Sequence, residues 1–316
     1  MTEPSSELKR HAAFKLVNVL AYLAILGTLG GFFARFWWPL ELMCHLRFQY
    51  CWFLLLLCGL MASVGYRKHA VVAGVGALLN LALIIPLYFG AAPSLAGESQ
   101  LRVMSINVLT SNRDYDEVLS IVKQDDPDVV VFLEVDQRWI DGIAAIQETL
   151  PHAHVAPRDD NFGIAIYSRK PLSDCRFIDL AGHSIQAVVA TANISGKDVR
   201  IIGGHPFPPL SGNCAATRNK QLQHMAQLAA EYSGPTILTG DLNTSSWSPY
   251  FQDLLRDGEL TDTRQGHGLQ HTHTMFYLVR LTIDHILVSK HIRTNDRWVT
   301  PCIGSDHDAV VADLAF

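Results

Sequence analysis

Pro235-Thr236-Ile237-Leu238-Thr239-Gly240-Asp241-Leu242-Asn243 is an apolar run that stops on a glycine and two polar residues spaced two apart. Such a run reads as a buried strand, and the alternation of an extended chain puts Asp241 and Asn243 on one side. Other stretches repeat the form: Ile106-Asn107-Val108, Leu133-Glu134-Val135, Gly204-His205-Pro206, and Ile283-Asp284-His285 with Ser305-Asp306-His307. Each is expected at or just after the end of a strand-like apolar run. The carboxyl ends of strands are where a sheet can hold polar side chains in a fixed array. A single such motif means little, but the ordered series predicts one composite site.

Around these motifs the pattern is that of an α/β domain. Helical spacing is read at 114–124, 137–150 and 215–231, with a short helix around 249–256. Strands are expected at 101–107, 128–134, 163–168, 174–179, 185–194, 198–204, 282–288 and 309–316. The middle strands follow one another through turn residues such as Ser195-Gly196-Lys197. That order favours two packed sheets with helices outside over a doubly wound parallel sheet.

The first 89 residues differ. Stretches at roughly 16–34, 51–65 and 70–89 lack internal charge, and a bilayer core needs about 20 apolar residues. Trp37, Trp38, Tyr50, Trp52, Tyr66 and Tyr88 cluster at their ends, as an interfacial aromatic belt would. Three successive spans exclude a cleaved leader. The expected organisation is a membrane domain at 1–89, a small polar linker at 90–100 and a catalytic domain at 101–316. Lys9, Arg10 and Lys15 precede the first span and Arg67 and Lys68 sit between the second and third, against Arg35 and Arg47 in the other loop. The excess of cations places the amino terminus in the cytoplasm and everything after the third span outside.

Charge separates the parts further. Beyond Phe89 there are 18 Lys and Arg against 27 Asp and Glu, a net of −9, while the membrane part carries 7 against 3, a net of +4. A protein that holds long nucleic acid normally presents a basic face, so duplex DNA is disfavoured as the main substrate.

Hydrolysis of a phosphate ester needs a hard cation on the non-bridging oxygens, a group that orients water, and charge near the leaving oxygen. Glu134 ends a Val-Val-Val-Phe-Leu run and suits Mg²⁺, with Mn²⁺ as a substitute. Asn107 can orient that carboxylate or reach the metal through water. Asp241 beside Asn243 supplies an acceptor and an amide donor. Asp284 and the Asp306-His307 pair bring carboxylates and an imidazole, and His205 a second imidazole. A histidine bonded to a carboxylate stays cationic to higher pH.

The series Asn107, Glu134, His205, Gly240-Asp241-Leu242-Asn243, Ile283-Asp284-His285 and Ser305-Asp306-His307 resembles the endonuclease/exonuclease/phosphatase superfamily over essentially all of 101–316. The resemblance implies a four-layered α/β sandwich of the DNase I type and Mg²⁺-dependent phosphoesterase activity. It makes Glu134, Asn107 and Asp306 the metal-site residues, Asp241 the water-activating carboxylate and Asn243 the phosphoryl contact. Asp284 would orient His307, and His205 matches the histidine of the DNase I-like and sphingomyelinase-like branches. The proline-rich Pro206-Phe207-Pro208-Pro209 resembles bacterial membrane-anchored members, which implies a multi-pass protein of the bacterial inner membrane with its site on the periplasmic side. A membrane-associated lipid ester is the expected substrate. The alternatives are an extracytoplasmic nuclease acting on DNA or RNA and a catalytically silent membrane module. No protein partner is implied.

Other residues read as structural. His285 alternates away from Asp284, and His267, His271 and His273 read as loop rather than as a zinc site. Arg218 and Lys220 read as solvated helix charges. Cys175 and Cys214 are candidates for a disulfide in an oxidising compartment.

Overall fold

Fourteen strands are present among the described residues of the computed structural model, which are 6–90, 100–275, 279–302 and 304–316. They are β1 (Gln100–Asn107), β2 (Val129–Leu133), β3 (His152–Ala156), β4 (Ile164–Ser168), β5 (Leu172–Asp179), β6 (Gln186–Ile194), β7 (Lys197–Gly203), β8 (Thr236–Asp241), β9 (Leu260–Asp262), β10 (His273–Met275), β11 (Val279–Leu281), β12 (Asp284–Ser289), β13 (Arg293–Thr300) and β14 (Ala309–Ala315). One sheet runs β13-β14-β1-β2-β4-β3 and the other β5-β6-β7-β8-β12-β9, with β10 and β11 forming a separate ribbon. The chain divides into two compact units, Met1–Pro86 with Trp247–Pro249, and Leu87–Ser246 with Tyr250–Phe316. The expected linker lies almost wholly at 91–99, outside the described residues.

In the second unit, period-two alternation sends each strand's side chains to two cores. Leu101, Val103, Val129 and Val131 of the first sheet meet Val188, Ala190, Ile201, Ile237 and Ile286 of the second. The outer face of the first sheet, through Met104, Ile106, Val130 and Phe132, packs on Val118, Ile121 and Trp139 of the flanking helices. The outer face of the second, through Ile202, Leu238 and Leu287, packs on Leu222, Met225 and Ala226 of helix Gly212–Ala230 and on Phe251 and Leu254. The result is a four-layered α/β sandwich of the DNase I type. Both central strands are buried on both faces, which explains their unbroken apolar runs.

Some elements depart from expectation. The helix read at 137–150 is an α-helix only over Gln137–Gly142, followed by a 3₁₀ turn over Ala144–Glu148. The Tyr115 ring occupies the space that a Cβ on Gly142 would take. Strands β3, β9, β10, β11 and β13 were not expected. β13, at an edge, carries charged residues that break its alternation, and β9 to β11 are three residues each. Cys175 and Cys214 are both free thiols.

In the first unit, three helical stretches are long and apolar enough to cross a membrane: Phe14–Phe33, Trp38–Ser63 and Arg67–Tyr88. Ala21, Ala24, Leu54, Leu57, Met61, Ala70, Ala73 and Ala77 form the contact between them. Small residues let helix backbones approach where no water drives association. Leu16, Leu23, Leu26, Leu56, Val71 and Leu78 point outward, so the helices are apolar all round, as lipid-facing helices are. Arg47, read above as a loop cation, begins the helix Arg47–Ser63 and is buried. Its Nη1 donates to Thr28 O at 2.6 Å, and Asn80 Nδ2 donates to Thr28 Oγ1 at 2.8 Å, tying the three helices together.

Candidate active site

Strand direction decides where the polar residues meet. β1 and β2 are parallel, so Asn107 and Glu134 leave the first sheet at one edge, and antiparallel β14 enters there just after His307. β7 and β8 are parallel, which brings His205 and Asp241 to the matching edge of the second sheet. β12 runs antiparallel to β8 with Asp284 opposite Asp241. Asp284 therefore opens its strand rather than closing one, and still reaches the same edge because the strand is reversed. His285, one residue on, faces the helix layer, where its Nε2 lies 2.8 Å from Thr244 O. Burial and the nearby Arg264 push its pKa down to about 3.

Backbone geometry specialises this edge. Gly240 has φ +143°, and a Cβ there would lie 1.9 Å from Gly204 O, so β7 and β8 close up only with glycine at that position. Glu134 has φ +63° and Asn243 φ +50°. Asparagine tolerates this left-handed region, whereas glutamate does so at a cost of about 1–3 kcal/mol, a strain that clusters at functional sites.

Asp241 is the hub. Its Oδ1 accepts from Asn243 N at 2.9 Å. Its Oδ2 lies 3.4 Å from His205 Nε2, 3.6 Å from His307 Nε2 and 3.4 Å from Asn107 Nδ2. His307 Nδ1 in turn lies 2.9 and 3.1 Å from the two oxygens of Asp284, whose backbone N–H donates to Thr272 Oγ1. Burial alone would raise the Asp241 pKa, but the charge of His307 and then the hydrogen bond from His205 outweigh it and hold the carboxyl well below its usual range. Burial likewise opposes a proton on His307, and the charges of Asp284 and Asp241 override it, lifting its pKa to about 10. Nδ1 of His307 is hydrogen-bonded to Asp284, while Nε2 lies beyond hydrogen-bond range of Asp241 Oδ2, whose charge favours the imidazolium from that side. Asp241, Asp284 and His307 lie close enough together to hold an ion, yet the hydrogen bonding makes them a proton-bearing chain.

A folded-state pKa raised in this way contributes stability that is fully present below the unfolded value near 6.5. The contribution is lost as the pH rises through about 10. In the metal-free protein, the His307 ring is accordingly expected to keep its proton through pH 8 when followed by imidazole nitrogen shifts. Titration near the ordinary histidine value would show that the carboxylates do not hold the charge.

Glu134, only 8% exposed, has a different environment. Its Oε1 accepts from Asn107 Nδ2 at 2.9 Å and its Oε2 from Thr110 N at 3.3 Å. Among the described residues, no Lys, Arg or His forms an ion pair with it. Asn107 Oδ1 is taken by Leu109 N at 3.1 Å, so the amide presents its nitrogen to the carboxylate and orients it. A buried anion supported only by neutral donors, with the Asp241 carboxylate sharing one of them, is incomplete without a cation. Its hard oxygen donors fit a divalent ion such as Mg²⁺. Asp306 is half-exposed, and its carboxylate lies 4.0 Å from His273 Nδ1 rather than in hydrogen-bond contact with Glu134 or Asn107.

Two contributors were missed in the sequence. His273, read as loop, opens β10 and stacks its ring 4.4 Å from that of His307. Arg218, read as a solvated helix charge, is fully buried, and its Nη1 donates to Asn243 O at 2.7 Å. One turn along the same helix, Gln221 Oε1 accepts from Phe207 N at 2.9 Å, so helix Gly212–Ala230 braces both loops that carry His205 and Asn243. A buried polar face at helical spacing (Arg218, Gln221) was the available signal.

Residues 104–307 match the endonuclease/exonuclease/phosphatase family, and the chain belongs to it. Members of this family are hydrolases of phosphate esters that generally use divalent metal ions, and this chain is a phosphoesterase of that class. Solved structures share the fold. TDP2 of D. rerio in complex with a single-strand DNA product is 18% identical, with a TM-score of 0.59 over 69% of this chain and 99% of that one. The 3′ phosphatase NExo of Neisseria bound to a product DNA hairpin is 22% identical, with a TM-score of 0.56 over 67% and 98%. Sphingomyelinase C of Streptomyces griseocarneus is 21% identical, with a TM-score of 0.52 over 68% and 99%. No curated protein matches the chain.

Proposed function

We propose that this protein is a membrane-anchored, Mg²⁺-dependent phosphodiesterase or phosphatase of the bacterial inner membrane that hydrolyses a phosphate ester of a membrane lipid on the extracytoplasmic side. In this reading residues 1–89 are the anchor and 101–316 the catalytic domain. The observation that carries it is the presence in one chain of three membrane-length apolar helices and of the converged site around Asp241. Anchoring raises the local concentration of the site at the bilayer. The net −9 charge beyond Phe89 disfavours polyanionic nucleic acid.

The chain's own groups divide the work. Asp241 accepts a hydrogen bond from the attacking water and fixes its lone pair toward phosphorus. The cationic His307, held by Asp284, and the His205 imidazole donate to phosphoryl oxygens as negative charge builds there. The side chain of Asn243, whose Nδ2 now donates to Pro206 O at 3.0 Å, lies beside them as a further donor. Glu134, oriented by Asn107, would hold a divalent ion, which would supply charge neutralisation at the non-bridging oxygens. Asp306 assists at the rim.

The test uses the full chain in nanodiscs with Mg²⁺ or EDTA, and Asp241→Ala as control. Substrates are vesicles of phosphatidylglycerol and phosphatidylethanolamine, single- and double-stranded DNA, RNA, and small phosphate esters. Metal-dependent release from lipid that is lost with EDTA and in the control is expected. Cleavage of nucleic acid at comparable enzyme levels, with vesicles untouched, would replace the lipid reading with the nuclease one.

A further inference from the structure

Between Gln100 and Phe316, the described residues expose only two large apolar side chains, Leu210 at 80% and Met275 at 37%. Both lie close in sequence to histidines of the site. Leu210 follows His205 by five residues, at the end of Pro206-Phe207-Pro208-Pro209-Leu210, and Met275 follows His273 by two. Elsewhere this sandwich buries its large apolar groups, so their exposure only here is not the usual scatter of single surface residues.

The Leu210 segment is also ordered. Three prolines fix their φ angles, Phe207 N is bound by the buried Gln221, and Leu210 N donates to Pro208 O at 2.9 Å. The Phe207 ring lies 5.0 Å from that of Phe162, and Phe162 lies 5.3 Å from the His205 imidazole. An aromatic pair, Phe207 and Phe162, therefore leads to the catalytic edge, and Leu210 ends the proline-rich segment that carries Phe207. No charged residue lies between His205 and Leu210; before Phe162, Asp160 is paired with Arg158 and Asp159 is exposed. An apolar strip of this kind suits a hydrocarbon chain better than a phosphodiester backbone.

We infer that Phe162, Phe207 and Leu210 form a subsite for the apolar portion of the substrate, the part of a lipid next to its phosphate ester. This rests on the lipid reading above and assigns the residues that would select such a substrate. Binding hydrocarbon on a pre-ordered strip costs little loop entropy, because the prolines have already removed it.

The experiment measures binding of ethyl through hexyl phosphate, which stay water-soluble, to the full chain in nanodiscs, with empty nanodiscs subtracted. In the wild type, Kd is expected to fall about twofold to fourfold per added methylene. Leu210→Asp should flatten that dependence and Leu210→Met should restore it. Leu210 is outside the packed core, and an unchanged unfolding midpoint will confirm that the variants fold. A Kd independent of chain length, or an equal slope in Leu210→Asp, overturns the inference even where vesicles are hydrolysed. The slope without vesicle hydrolysis sinks the functional reading instead. An octathymidylate that loses affinity in Leu210→Asp while the alkyl series is flat would assign the strip to base stacking and overturn the inference.

Discussion

Asp241→Asn is expected to lower kcat by about 10³-fold, at the upper part of what a positioned acid–base group contributes, with KM changed far less. The carboxylate faces Asn107 Nδ2, Asn243 N and His205 Nε2, with the charge of His307 Nε2 at 3.6 Å. These keep it ionised across the working pH range and also make it a weak base. Its contribution is then mainly alignment of a water's O–H toward a fixed acceptor, with the proton moving only as the bond to phosphorus forms. Asparagine keeps the shape but replaces one acceptor oxygen with a donor that faces those same N–H groups. It also removes one of the two anions that hold the proton on His307, so the His307 pKa should fall from about 10 in the same variant. Single-turnover rates with small phosphate esters check the first effect and imidazole shifts the second. A kcat within tenfold of the wild type would remove Asp241 from the reaction.

Most of this arrangement was legible because each polar residue terminates an apolar run, and a buried strand end tolerates a charge only when something balances it. Asn107, Glu134, His205, Asp241 with Asn243, Asp284 and His307 come from six separate places in the chain and meet at one edge. What the motifs could not convey was pairing. Asp284 was read within a strand at 282–288 and opens one at Asp284–Ser289. It reaches Asp241 through the antiparallel register of β12 with β8, a long-range fact. His273 escaped because a three-residue strand has too few positions to show a period. Arg218 escaped because an arginine on an amphipathic helix is usually wet, and only the fold shows the Asn243 carbonyl lying opposite it. Arg47 escaped for the related reason that a cation preceding an apolar run looks like a span boundary. The structure instead satisfies it inside the bundle with a backbone carbonyl from another helix. The left-handed turn at Glu134 has no sequence signature, since glutamate is a poor residue for it.

Glu134→Gln should behave differently from Asp241→Asn, and the contrast separates the two roles. Glutamine can keep the oxygen that accepts from Asn107 Nδ2, but its amide nitrogen then replaces the oxygen that accepts from Thr110 N. The buried negative charge is lost. A divalent ion bound through oxygen ligands depends on their charge, so affinity for Mg²⁺ is expected to weaken about a hundredfold or more. Activity at low Mg²⁺ should collapse and recover substantially at high Mg²⁺, a rescue that Asp241→Asn will not show. The metal-free protein gives a second readout. There the wild-type glutamate is a buried anion with no cationic partner among the described residues, and its backbone has φ +63°. Neutralising it removes part of the desolvation cost but turns an amide N–H toward Thr110 N, so the two effects offset and the metal-free variant should unfold within about 2 °C of the wild type. With Mg²⁺ present the wild type should unfold clearly higher than the variant, because binding stabilises it more. A variant that is less stable in EDTA and unrescued by Mg²⁺ would make Glu134 a structural carboxylate and move the metal site elsewhere on the edge.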